Sequence, residues 1–245
     1  MSNHANWLIQ RCEGAEYLDS LLEFLLPEYI RIFGQDIMTT TPCIVHNDPD
    51  SECPYFHHTT PLKIRLSMSE LSYWAQMVYQ LSHELCHYAM YQTKQDKTKT
   101  LSWFEEIVCE AMSLYALHYG ANNWPKCKLA VRNPDFGKCI REYLEKELQR
   151  DASDGFEQCN TIKKLQYYEI GKFPENDRAT HVTERNKIYE AILREPTEAS
   201  CFLHYQKYIR PENGVAFDFD SWYRDDPKNL ILELRSISPI KNKEK

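Results

Sequence analysis

The residues most able to do chemistry lie in the segment Gln80-Leu-Ser-His-Glu-Leu-Cys-His-Tyr88. It places two histidines, His83 and His87, four positions apart with Glu84 directly after the first, an HExxH spacing. On a helix, positions four apart differ by about 40° in azimuth and about 6 Å along the axis. Both imidazoles then project from one face and can grip a single metal ion. Glu84 sits beside them, where it can serve as a general base.

A catalytic zinc takes three protein ligands and keeps one position open. The third ligand must come from a neighbouring element, and Ser102-Trp-Phe-Glu-Glu-Ile-Val-Cys-Glu110 offers Glu105, Glu106 and Glu110. Glu105 stands three residues after Ser102 and reads as the partner in a capping box. Glu106 is taken as the third ligand. Glu110, one turn further on the same face, falls where a carboxylate can orient a ligand histidine.

The elements that must position these groups follow from periodicity. Leu71, Trp74, Val78, Leu81, Leu85 and Tyr88 form an apolar stripe over a helix expected at 69–92, with Ser67 and Glu70 as its capping box. His83 and His87 fall largely outside the stripe, so one face packs while another lines a cleft. A second helix is expected at 103–119, packed through Phe104, Ile107, Val108, Ala111 and Tyr115 and stopped by Gly120. A helix at 15–33 should break or kink at Pro27. Residues 42–46 and 61–67 read as strands. Helical spacing recurs at 138–150, 160–169, 183–195 and 197–209, and 214–222 reads as extended.

HExxH followed by 18 residues and then Glu106, in a Trp-Phe-Glu-Glu context, resembles the gluzincin metallopeptidases. Glu106 and Glu110 look like that family's pair of acidic residues four apart, of which the first binds zinc and the second supports a histidine. The strand at 61–67 is similar to the edge strand that borders the substrate cleft in such enzymes. The compact spacing is also similar to minimal gluzincins and to small intracellular metallopeptidases of bacteria and phages. The likeness spans about residues 60–116. It implies one zinc per chain on His83, His87 and Glu106, Glu84 as general base, and a peptide or protein substrate. A GxMEN-like amine-binding segment and a helix-turn-helix pattern are both absent. An oxyanion-stabilising residue would come from Tyr115, His118, His181, His204 or Tyr205, among which the sequence does not choose. His57 and His58 are further candidates for the cleft mouth, and Cys86 fills a free position inside the motif.

The remainder of the chain bounds this reading. Its 245 residues are 42% hydrophobic and 27% charged, which suits a globular protein. The expected fold is α+β and mostly α: a zincin-like fold with a small sheet, two metal-bearing helices and a helical C-terminal lobe. Residues 1–124 would hold the metal site and 125–245 the lobe walling the cleft. A net charge of −7 argues against nucleic acid or anionic membrane as partners. No apolar run reaches the roughly 20 residues needed to cross a bilayer, and no basic, apolar leader opens the chain. A cytoplasmic protein is the resulting expectation. The nine cysteines form no CxxC pair and read as reduced, mostly packing thiols. Two rival readings remain. Glu84-Leu-Cys-His87 is also half of a di-iron ExxH signature, but no second ExxH exists to complete it. The other rival is a non-catalytic, metal-stabilised scaffold or interaction protein that retains the HExxH site.

Overall fold

The computed structural model describes residues 6–95, 101–150, 182–209 and 217–237. It is mostly helical with one small sheet, as expected. Two compact units emerge: Met1–Gln92 with Met112–Glu147, and Thr93–Ala111 with Leu148–Lys245. None of these boundaries falls at residue 124.

The first unit holds β1 (Trp7–Ile9), α1 (Ala15–Phe33), α2 (Gln35–Thr39), β2 (Cys43–Asn47), β3 (Tyr55–His57), β4 (Leu62–Leu66) and nearly all of α3 (Trp74–Thr93). The sheet runs β1-β2-β4-β3, with β1, β2 and β4 parallel and β3 antiparallel to β4. Strand alternation sorts its side chains. Cys43, Val45, Phe56, Leu62, Ile64 and Leu66 are buried on one face, while Ile44, His46, Tyr55, His57, Lys63 and Arg65 stand on the other. The strand at 62–66 is therefore interior, not the edge strand expected. The edge belongs to β3, which is three residues long and hidden in sequence within a stretch of Pro, Asp and Asn that has no period.

Helix α1 runs unbroken through Pro27. Pro27 is exposed, whereas Phe24, Leu25, Leu26, Glu28 and Tyr29 around it are buried. The missing N–H thus falls on the solvent side, where water can serve the unpaired carbonyl. Helix α3 starts at Trp74, not 69. The side chains of the expected capping box are used elsewhere: Ser67 donates to the Ser51 carbonyl, and Glu70 accepts from Ser72.

Helix α4 (Ser102–Asn123) is shared, residues 102–111 belonging to the second unit and 112–123 to the first. It continues past Gly120 for three residues. Short 3-10 turns (Trp124–Lys126 and Lys128–Val131) lead to α5 (Phe136–Leu148), whose start lies against the end of α4 at Gly137.

The second unit adds α6 (Val182–Arg194), a run of 3-10 turns over Pro196–Tyr208, α7 (Phe219–Asp225) and α8 (Asn229–Ile237). Its core is aromatic: Phe104 meets Phe202, Tyr205 and Phe217, and Trp222 stacks on Tyr208. The extended segment expected at 214–222 is helical from Phe219. Asp218 caps it by accepting from the Ser221 N–H at 3.1 Å, a local signal the alternating Phe-Asp-Phe-Asp pattern masks. The helix expected at 160–169 lies outside the described residues.

Candidate metal centre

His83 and His87 project from one face of α3, as their spacing requires. Their Nε2 atoms stand 3.1 Å apart with ring planes inclined at 67°. Two nitrogens bound tetrahedrally at about 2.0–2.1 Å from one zinc lie about 3.3 Å apart, so the pair is already near ligand geometry. Glu106 on α4 completes the set: one ligand atom from each of the three residues lies within 4.8 Å of the others. Two imidazoles and a carboxylate form a donor set that suits zinc and also other first-row divalent ions.

The turn carrying the histidines is pinned on both flanks. Gln80 accepts from the Ser67 N–H at 3.0 Å and donates to the Ser67 carbonyl at 2.9 Å, tying α3 to the end of β4. Tyr29 donates to the Ser82 carbonyl at 2.8 Å, and Tyr88 to the Thr41 carbonyl at 2.8 Å. The apolar stripe Leu71, Trp74, Val78, Leu81, Leu85 and Tyr88 is buried as expected. Burial extends further round the helix, however, to Gln80, Ser82, His83 and Glu84. His83 is 3% and Glu84 2% exposed; His87 and Glu106 are half-buried.

The acidic residues of α4 divide their work. Glu105 does not form the capping box: the helix begins a residue earlier than that motif needs, and its carboxylate receives Lys94 and the Tyr205 hydroxyl. Glu110 is buried with the guanidinium of Arg185 3.8 Å away. Arg185 is wholly enclosed, and its Nε and Nη2 also donate to Asn186 Oδ1. Nothing in the sequence marked Arg185, which stands among other charges on a short helix.

Two of the residues considered for oxyanion stabilisation are committed elsewhere. The Tyr115 hydroxyl donates to Glu28 and accepts from Arg31 at 3.3 Å. Burial and the Glu28 carboxylate push its pKa well above the ordinary phenol value. Tyr205 donates to Glu105 and accepts from the Leu101 N–H at 3.2 Å, and burial beside that carboxylate raises it likewise. Burial lowers the pKa of His118 and of His204, with Arg141 acting on the first and Lys207 on the second. His181 lies outside the described residues. His57 stands on the outer sheet face, and His58 stacks on Tyr91 with centroids 4.4 Å apart.

All eight described cysteines are free thiols, five of them buried, Cys86 included. Burial pushes the Cys43 thiol up to about 12, which suits a packing role. No described helix is long and apolar enough to cross a membrane. Comparison with protein-family models, curated proteins and solved structures finds no match to this chain.

Proposed function

We propose that this chain is a zinc-dependent peptidase in which His83, His87 and Glu106 hold the metal and Glu84 is the general base. The observation that carries this reading is the convergence of the two Nε2 atoms, 3.1 Å apart, with Glu106 within reach and Glu84 next to His83. A zinc ion held there would supply Lewis acidity, polarising a carbonyl and making water nucleophilic near neutral pH. Glu84 would take the proton from the attacking water and pass it to the leaving amine. Its enclosure strengthens its electrostatic action by keeping bulk water away.

Elemental analysis of the purified chain tests the site. About one zinc per chain, lost in His83→Ala and Glu106→Gln, is the expected result. Cleavage of a peptide library, abolished in a Glu84→Gln variant that keeps its metal, tests the activity. A parent that takes up no metal when zinc is supplied would sink the reading.

One observation favours a second reading, a metal site that only stabilises the fold. His83 and Glu84 are both nearly inaccessible, whereas a substrate must approach them. In that case chelation lowers the melting temperature, no peptide is cleaved, and Glu84→Gln changes nothing but stability.

A further inference from the structure

We propose that the outer face of the sheet, where His46, Lys63, Arg65 and His57 meet, is a docking surface for a short acidic segment of a partner protein. The inference does not rest on the peptidase reading.

Strand register places the four groups together. Ile44, Lys63 and His57 form one cross-strand row, and His46, Arg65 and Tyr55 the next. The rows lie about 7 Å apart along the strands and span about 10 Å across three of them. All of these side chains point away from the core face. Their fields overlap: Lys63 and Arg65 both act on His46 and on His57, and His46 acts on His57.

Among the described residues, no carboxylate lies within ion-pair distance of Lys63 or Arg65. Arg65 Nε is buried and has no hydrogen-bond partner. Asp48, directly after β2, acts on His46. In a chain with seven more acidic than basic residues, a patch of unpaired cations is a local conflict that folding alone does not call for. An anionic occupant resolves it.

Size and surroundings select the occupant. Two permanent cations in so small an area match one or two carboxylates of a peptide. A nucleic acid, with one charge per about 1.7 Å of duplex, would carry many charges beyond the two cations and onto Asp48, Asp50 and Glu52 in the adjoining loop, whereas one or two carboxylates fit between them. The rims are apolar or aromatic: Leu8 is 54% and Tyr55 51% exposed, and Ile44 lies between Leu8 and Lys63. An acidic residue flanked by apolar ones fits this arrangement.

Fluorescence polarisation of the full chain against an array of labelled acidic dodecapeptides, with Asp and Glu spaced singly, in pairs and in blocks, is the test. Each peptide is paired with its Asn/Gln counterpart, and labelled oligothymidylate is run beside them. Several acidic peptides should bind, and their amide counterparts at least about tenfold more weakly, as expected for paired charges at an interface. Lys63→Glu with Arg65→Glu should remove binding while circular dichroism stays unchanged. Lys63→Thr with Arg65→Thr, which keeps strand-forming residues, serves if the reversal does not fold. His83→Ala with His87→Ala should bind as the parent does. Equal binding of acidic and amide peptides, full retention by the Lys63/Arg65 variants, preference for oligothymidylate, or no peptide binding below about 1 mM would each overturn the proposal.

Discussion

Arg185 directs a wholly buried guanidinium at Glu110, 3.8 Å away and one helical turn beyond Glu106. This pair, not the capping box imagined for Glu105, anchors the acidic face of α4 within the second unit. Removing one partner of a buried ion pair strands the other and costs about 3–5 kcal/mol, whereas replacing both is far milder. Arg185→Met should therefore destabilise by about that amount. Glu110→Gln should cost less, because the amide keeps the shape and leaves the oxygen's partial negative charge beside the guanidinium. The double variant should recover part of the loss. Urea denaturation of the four proteins in one double-mutant cycle checks this, and additive losses would show that the two groups do not act as a pair.

Tyr29 gives a second prediction. Its hydroxyl reaches the Ser82 carbonyl at 2.8 Å, immediately before His83. Tyr29→Phe removes that tie with almost no change in volume. Stability should fall by about 1 kcal/mol, the net worth of a neutral hydrogen bond. Because the bond also fixes the turn bearing the histidines, the zinc affinity of the proposed site should weaken about tenfold, at the low end of losses from outer-shell partners. Competition with a chromogenic chelator measures it, and unchanged affinity would mean that the turn is held sufficiently by Gln80 and Tyr88.

The two flanking helices and the three converging residues were legible because each signal is local and periodic. HExxH and its spacing to Glu106 survive as a cluster with ligand atoms within 4.8 Å. What surrounds them was not legible. Burial of Gln80, Ser82, His83 and Glu84 depends on elements that enclose α3 from sides its own stripe does not reveal. The destinations of Tyr115, Tyr205 and Glu105 depend on residues 87, 100 and 100 positions away. The capping boxes did not form: Ser67 bonds the distant Ser51 carbonyl, and Glu105 is drawn to Lys94 and Tyr205. The edge strand β3 was missed because three residues are too few to show a period.

Two glycines on or beside α4 should respond in opposite ways. A Cβ on Gly137 would come within 2.9 Å of the Ala121 carbonyl oxygen and 3.2 Å of Trp124 Cβ. Neither neighbour can step aside without moving backbone, so Gly137→Ala should destabilise by about 1–3 kcal/mol, the usual range for overpacking. Gly120 is in the helix interior, and its Cβ would meet Ile140 at an ordinary 3.6 Å. Gly120→Ala should stabilise by up to about 1 kcal/mol through helix propensity. Thermal melts of both variants decide it, and a destabilised Gly120→Ala would mean that α5 lies tighter against α4 than these distances give.

Acid should weaken the fold in two stages. Burial lowers the pKa of His46, His57, His118 and His204, and nearby cations lower each further: Lys63 and Arg65 for the first two, Arg141 for His118 and Lys207 for His204. Each group therefore binds a proton more weakly folded than unfolded. Above about pH 6.5, the ordinary histidine value, both states are neutral and nothing is lost. As pH falls below that value the unfolded chain takes up protons first, so stability declines until the lowered folded values are passed. Glu28 acts later. Burial pushes its carboxyl up, but hydrogen bonds from Arg31 and Tyr115 outweigh this and hold it below the usual range. Its contribution is present above the ordinary carboxylate pKa and is lost as pH falls beneath it. Urea midpoints measured from pH 8 to 3, in a His83→Ala/His87→Ala background that removes the two proposed histidine ligands, should show both declines. Adding His46→Gln and His57→Gln should reduce the upper decline to the share of His118 and His204 and leave the lower one. An unchanged upper decline would place its origin outside the sheet face.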